Sequence, residues 1–299
     1  MAGSTGAFSP APGGRRARGV NFLPTHVCGI AHRFGHGLPI LACHLGVSDS
    51  REHSHFVSRI TASRDSRPNR LLAMLPEPVR ERVVAAAESV DLAVGRVVQE
   101  PRELVRHAWF PEDCIISLVN TVANGDTVEI AVVGYEGFVG LSGVLGADGS
   151  PFEAVVQAAG SALRVPVGRV AEAFRTDPEV RRVVLLYDQA LLAQVAQTAV
   201  CNRHHTIDQQ VGRWLLMSLD RLSGEDVSVT QEMIANMLGV RREGVTDAAR
   251  KLQLQGIIEY SRGRIRVCDR AALERATCEC YAVVRDQSLR LLGFPETPR

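Results

Sequence analysis

Apolar residues take a helical spacing at Leu71, Leu72 and Leu75, break at Pro76-Glu77-Pro78, and resume it at Val79, Val83, Val84 and Ala87. This predicts a short helical entrance beginning near Pro68. Between Val90 and Val167 the pattern changes to short β-branched runs cut by glycines: Val94 to Val98, Cys114 to Val122, Thr127 to Val133, Ala154 to Ala158 and Ala162 to Val167. Short runs at that spacing predict an antiparallel barrel or β-roll. The helical period then returns with Val184, Tyr187, Leu191, Val195 and Ala199, flanked by Leu185, Leu192 and Ala196, in a helix over about 178–202. The stripe is wide enough to face both the β-roll and a second copy of the chain, so the helix is expected to dimerise the protein. Packing wholly within one subunit is the alternative. The polar run Cys201-Asn202-Arg203-His204-His205 interrupts this helix, residues 201–206 read as a hinge, and Ile207, Val211, Trp214, Leu215 and Leu219 then begin another helix.

Residues 1–67 follow neither a period of 2 nor one of 3.6 and are rich in Gly, Pro, Ser, Arg and His, which predicts a flexible extension. The expected domains are therefore 1–67, a sensor unit over 68–205 and a third segment over 206–299. At 299 residues, 45% hydrophobic and 22% charged, the composition is that of a globular chain. The first 19 residues hold no apolar signal-peptide run, so a cytoplasmic protein with no membrane partner is expected. Seven scattered cysteines read as free thiols rather than disulfide staples. Net charge is only +1, so any surface for a polyanion has to be a local cluster.

Such a cluster lies between Val227 and Val267. Thr230 is a good N-cap, Glu232 suits the positive helix end, Ile234 and Leu238 form an apolar edge, and Gly239 supplies a sharp turn. From Val240 to Leu252 a second helix would turn Val245, Ala249 and Leu252 inward and Arg241, Arg242, Glu243, Thr246 and Arg250 outward. In a helix-turn-helix the N-terminal part of the second helix enters the major groove, where Arg bonds guanine O6 and N7 and Glu accepts from cytosine N4. Ile257, Ile258 and Tyr260, then Ser261-Arg262-Gly263-Arg264, then Ile265 and Val267, read as a basic hairpin, or wing. The expected base contacts are Arg242, Glu243, Thr246 and Asp247. The expected phosphate contacts are Thr230, Arg241, Arg250, Lys251, Arg262 and Arg264.

The run Val229 to Val267, preceded by Ile207-Asp208-Gln209-Gln210-Val211-Gly212-Arg213-Trp214-Leu215-Leu216, resembles the DNA-binding half of the Crp/Fnr family of bacterial regulators. The specific match is Gly239-Val240-Arg241-Arg242-Glu243-Gly244-Val245, and the resemblance extends over about 68–288. It implies an α+β protein: an N-terminal antiparallel β-roll (a cupin-like jelly roll), a long dimerisation helix and a C-terminal winged helix-turn-helix. Its implied partners are double-stranded DNA, a second copy of the chain and, as a candidate, RNA polymerase. A base-contacting Arg of the best-known members falls at Asp247, which implies a different operator half-site.

Members of that family that sense cyclic nucleotides hold the ribose with a Glu after a Gly, and the phosphate with an Arg followed by Ser or Thr and Ala. Here Gly140 precedes Leu141, and the Arg position falls at Phe152, ahead of Glu153 and Ala154. Between Arg106 and Arg164 there is no Lys or Arg, while seven carboxylates lie in the same stretch. A buried phosphate without a cation would cost several kcal/mol. These five residues are therefore expected to form a degenerate pocket, leaving an apolar or neutral effector, or none.

His26, His32, His36, His44, His53 and His55 crowd the N-terminal segment with Cys28 and Cys43, but in no compact ligand spacing. Cys278 and Cys280 are placed on a C-terminal helix, where neighbours two apart diverge. No metal and no cofactor is expected. The absence of Ser-His-Asp, Walker and dinucleotide motifs argues against an enzyme. The chain is expected to be a dimeric transcription regulator reading a pseudo-palindromic operator; the alternative is a small-molecule sensor whose DNA binding is secondary.

Overall fold

We describe the fold from a computed structural model, in which residues 68–224 and 226–293 are described. The entrance forms two helices, α1 (Arg70–Ala73) and α2 (Glu77–Ala85). Asn69 caps α1 by accepting from Leu72 N–H at 3.0 Å, and its amide donates to the carbonyls of Pro111 and Gly137 at 2.9 and 2.8 Å. One buried side chain thus starts the helix and pins it to the β domain.

Seven strands follow: β1 (Glu88–Leu92), β2 (Val97–Gln99), β3 (His107–Pro111), β4 (Ile115–Thr121), β5 (Thr127–Val133), β6 (Glu153–Ala158) and β7 (Gly160–Pro166). They pair antiparallel in two sheets, β1-β7-β3 and β2-β6-β4-β5. Leu92, Trp109, Ile116, Val133, Val156 and Ala162 fill the space between them. Five strands overlap the expected runs. β1 and β3 escape the sequence pattern because β1 is a polar edge strand with one fully buried residue, and β3, His107-Ala108-Trp109-Phe110-Pro111, contains no β-branched residue.

Two helices, α3 (Leu141–Val144) and α4 (Val167–Thr176), lead to α5 (Pro178–His204). Asp177 caps α5 by accepting from the N–H groups of Glu179 and Val180, and Pro178 occupies the first turn, where no N–H is needed. Val180, Val183, Val184, Tyr187 and Ala190 enter the core beside α1 and α2. Tyr187 donates its hydroxyl to Phe138 O at 2.7 Å. Gln194 accepts from Val132 N–H at 2.8 Å and donates to Val132 O at 3.1 Å, closing the free edge of the four-stranded sheet at β5. Among the described residues, α5 is the one helix long and apolar enough to cross a bilayer. About a third of that apolar window is buried against the rest of the fold.

These contacts correct the expected dimer stripe. Val184 and Tyr187 are 2% and 4% exposed inside their own subunit, and Leu191 and Val195 lean on the roll interior. Of the five expected residues only Ala199 is exposed. The outward stripe is instead Leu185, Gln189, Leu192, Ala196, Ala199 and Val200, with Leu185, Leu192 and Val200 each about half exposed.

The expected hinge is also narrower. α5 continues through His204, and only His205 and Thr206 leave the helical region before α6 (Ile207–Leu219). Thr206 and Gln209 form a reciprocal capping box that starts α6 sharply. Beyond it come β8 (Asp226–Ser228), α7 (Gln231–Leu238), α8 (Arg242–Leu254), β9 (Ile258–Ser261), β10 (Arg264–Val267), α9 (Arg270–Ala276) and α10 (Cys280–Leu292). Val211, Trp214, Leu215, Ile234, Val245, Ala249, Leu252, Ile258 and Ile265 form their core. The last helix, α10, runs back along α5, and Leu292 joins the core beside α1 and α2.

Candidate nucleic-acid interface

α7 and α8 form a helix-turn-helix for reasons visible in the chain. Thr230 accepts from Met233 N–H at 3.1 Å to start α7, and Gly239 ends it at φ +64°, a conformation that favours glycine. α8 seats Val245, Ala248, Ala249 and Leu252 in the core. Arg241, Arg242, Glu243, Thr246, Asp247 and Arg250 are exposed, so every expected base contact lies on the outer face, at the N-terminal half of the helix. Gly244 permits the close approach to α6: a Cβ there would lie 2.6 Å from Ile207 Cδ1.

The wing is a three-stranded sheet in the order β8-β10-β9. Its turn is Arg262-Gly263, both at positive φ (+50° and +77°), the conformation that tight hairpins prefer and that a non-glycine residue adopts at some cost. Val229 N–H donates to Gly263 O at 2.8 Å, which holds the wing turn beside the start of α7. Arg262, Arg264 and the N-terminus of α7 therefore share one edge, a basic tip next to orphan helix N–H groups.

Three expected phosphate contacts are engaged within the subunit. Thr230 spends its hydroxyl on the α7 cap. Lys251 donates to Asp208 at 2.7 Å, and that hydrogen bond holds its pKa above the usual value. Arg264 pairs with Asp226 at 2.5 Å. Arg242 lies 3.8 Å from Glu232 across an exposed gap, too loosely to fix it. Thr246 donates to Gln231 at 2.7 Å, which ties the two helices together on the outer face.

The residues expected at the effector site face different surroundings. Gly140 opens α3 at φ +106°, with no room for a side chain because His107 O would lie 2.6 Å from its Cβ. Leu141 packs beside the α5 core, whereas Phe152 packs on the roll interior and Ala154 is buried there. Burial pushes the Glu153 carboxyl up. The guanidiniums of Arg96 and Arg164 lie over the Trp109 ring at 5.7 and 5.8 Å, and Arg164 also pairs with Glu88. A cleft of about 180 Å³ between β2 and β3 has Glu100, Glu103 and Arg106 as its charged walls.

Where β5 meets α6, Ser117 donates to Glu129 at 2.6 Å, and Gln157 donates to Ser218 at 3.0 Å. Burial pushes Glu129 up to about 7, against the pull of Ser117, Arg213 and Arg221. The sequence gives no sign of this site, since its members come from four separate elements.

A second constellation joins residues far apart in the sequence. Cys201 and His205 project from the end of α5, Cys278 and Cys280 flank the start of α10, and their four ligand atoms lie within 4.8 Å of one another. The expectation that Cys278 and Cys280 diverge fails because α10 begins at Cys280, so the pair straddles the helix start. The available signal was Cys201 and His205 at i and i+4, on one side of a helix. The histidines and cysteines between 26 and 55 lie outside the described residues.

A family model for the Crp-like helix-turn-helix domain matches residues 209–276. Among solved structures, FixK2 of Bradyrhizobium japonicum aligns over 64% of this chain and 98% of its own, at 16% identity and a TM-score of 0.56. TTHB099, a CRP-family transcriptional regulator of Thermus thermophilus, aligns over 62% and 95%, at 18% identity and a TM-score of 0.54. TTHA1359, a CRP/FNR-family regulator of the same organism, aligns over 63% and 97%, at 20% identity and a TM-score of 0.51. No curated protein matches the chain. The chain thus has the α+β fold of these regulators and carries a Crp-like helix-turn-helix domain.

Proposed function

We propose that the chain is a homodimeric, sequence-specific transcription regulator of the Crp/Fnr type, acting on DNA in the cytoplasm without control by a cyclic nucleotide. The observation that carries this reading is the Crp-like helix-turn-helix, with Arg242 and Glu243 exposed at the N-terminal end of α8 and a basic wing tip alongside. In this reading α8 enters the major groove: Arg242, Glu243, Thr246 and Asp247 meet base edges, while Arg241, Arg250 and Arg262 meet phosphates. Thr230 contributes through the α7 N-terminus it caps. Lys251 and Arg264 reach phosphates only by exchanging their carboxylate partners.

The outward stripe of α5 supplies the dimer. Its steps of four and three residues, Leu185-Gln189-Leu192-Ala196-Ala199, match a coiled-coil seam, in which the two alanines allow close approach and Gln189 is a single polar position of the kind that fixes register. Two copies joined there would present two α8 helices about one DNA turn apart, roughly 34 Å, on a pseudo-palindromic operator. For the effector, Gly140-Leu141 and Phe152-Glu153-Ala154 supply neither the ribose-binding carboxylate after the glycine nor the guanidinium that a cyclic nucleotide needs.

Selection of bound sites from random duplex DNA, at two salt concentrations and with or without cyclic AMP, tests this. An inverted repeat enriched equally in both arms is expected. Enrichment only with the nucleotide would refute the reading of the pocket. No enrichment in any arm would favour a small-molecule sensor whose DNA binding is secondary, in line with the carboxylate Asp247 on the outer face of α8.

A further inference from the structure

We propose that Cys201, His205, Cys278 and Cys280 form a four-coordinate site for a zinc-class divalent ion, which ties the end of the long helix to the start of the C-terminal helix. The donor set and its geometry carry this. Cys201 Sγ and Cys278 Sγ are 3.6 Å apart, and Cys280 Sγ and His205 Nδ1 are 3.3 Å apart. Ligands sharing one tetrahedral zinc at about 2.3 Å for sulfur and about 2.0 Å for nitrogen lie about 3.8 Å apart for two sulfurs and about 3.5 Å apart for sulfur and nitrogen. The four side chains therefore approach the spacing of a single shared ion. In an iron–sulfur cluster the four protein ligands are shared among two or more irons, so some of them lie farther apart than the 4.8 Å that spans all four donor atoms here.

The surroundings are those of a metal centre rather than of a thiol core. Glu279, between the two C-terminal cysteines, has Oε1 3.3 Å from His205 Nε2. A carboxylate there places the ring proton on Nε2 and leaves the Nδ1 lone pair directed at the cluster, the carboxylate–histidine–metal arrangement. Gln197 donates its amide N–H to Cys280 Sγ at 3.0 Å, a hydrogen bond suited to a metal-bound thiolate. All three cysteines are nearly or fully buried. Buried thiols acting only as small apolar groups need neither a histidine nitrogen nor an amide aimed at them. A disulfide between Cys201 and Cys278 would leave Cys280 and His205 without a role.

The position gives the site a consequence. His205 and Thr206 are the two non-helical residues between α5 and α6, and Thr277, next to Cys278, donates to Gln209 O at 3.0 Å on α6. An ion here fixes the junction through which α5 sets the orientation of the helix-turn-helix.

The test is metal analysis of the reduced full-length protein, followed by titration with Co²⁺ as a spectroscopic stand-in for zinc. One ion per chain is expected, with the intense visible bands of tetrahedral cobalt and thiolate-to-cobalt charge transfer, displaced by Zn²⁺. Cys278→Ser and Cys280→Ser should each abolish tight binding. Glu279→Gln should keep the tetrahedral spectrum and weaken affinity 10–100-fold. Cys268→Ser should bind as the parent does, since that exposed thiol lies outside the cluster. A Cys28→Ser/Cys43→Ser double variant should also retain the parent spectrum. The parent spectrum alone decides the matter if a cluster variant misfolds. Octahedral cobalt, sub-stoichiometric metal, an iron–sulfur chromophore, loss of binding in the Cys28/Cys43 variant, or a metal-free chain with Cys201 and Cys278 disulfide-bonded after reductive purification would each overturn the proposal.

Discussion

Glu129 is the clearest case of a residue whose behaviour is set by its neighbours. Burial holds the pKa of its carboxyl near 7 against an ordinary value of 4.5. Between those values the native state keeps a proton that the unfolded chain has released. Its contribution to stability is therefore full below about 4.5, declines as pH rises through about 7, and is level above that. Glu129→Gln should flatten this decline and raise stability near pH 8 by roughly 1–3 kcal/mol, the shift being discounted for partial exposure; urea denaturation at several pH values measures it. An unchanged pH profile would show that Glu129 ionises normally. The residues proposed to face DNA differ among themselves in the same local way. Arg242→Ala should cost about 1–3 kcal/mol at one base position and relax specificity there, whereas Arg264→Ala should weaken all sequences alike and lower the salt slope by at most about one unit, because Asp226 already holds that arginine. Binding titrations on operator and random duplexes across a salt series distinguish the two; equal losses on both DNAs for both variants would defeat the assignment. The exposed placement of Arg242 and Glu243 at the start of α8 was legible in the sequence because it depends on a local run. Glu129 was not, because Ser117, Arg213 and Arg221 reach it from other elements.

The elements were legible where one face is buried and illegible where two compete. α7, α8 and the wing hairpin follow their caps, glycines and apolar spacing closely, and the strands missed are β1, β3 and the three-residue β8, none of which carries a run of β-branched residues. α5 shows the limit. Its apolar residues form two adjacent stripes, and periodicity alone does not say which faces the roll. Packing answers through Tyr187 and Gln194, whose polar groups bond Phe138 and Val132 and so fix the rotation of the helix. This yields contrasting predictions for two apolar residues on one helix. Val184→Asp places a charge in the subunit core and should prevent folding. Leu192→Asp, on the outward stripe, should give a folded monomer with little operator affinity. Sedimentation and circular dichroism together decide it, and a folded Val184→Asp monomer would restore the seam expected from the sequence.

At the scale of the molecule, the β-roll and the C-terminal half share an apolar cluster, in which Ile115 and Val132 of the roll belong with Trp214, Leu215 and Leu238, and polar contacts add to it. Arg221 donates to Glu136 at 2.7 Å, Tyr135 donates to Asp220 O at 3.2 Å, and Thr127 donates to Asn236 O at 3.4 Å. The ties that cross between the two halves join residues far apart in sequence, so none could be anticipated from local pattern. The Arg221–Glu136 pair is the strongest of them, with side chains only 10% and 18% exposed. Removing one partner leaves the other charge shielded from water, so Arg221→Met should destabilise the fold by about 3–5 kcal/mol. Adding Glu136→Gln to that variant removes the stranded charge and should recover most of the loss. A double-mutant cycle in denaturant measures the coupling. Strictly additive losses would mean that the pair does not join the two halves energetically, and the connection would then rest on the shared apolar cluster, α5 and α10.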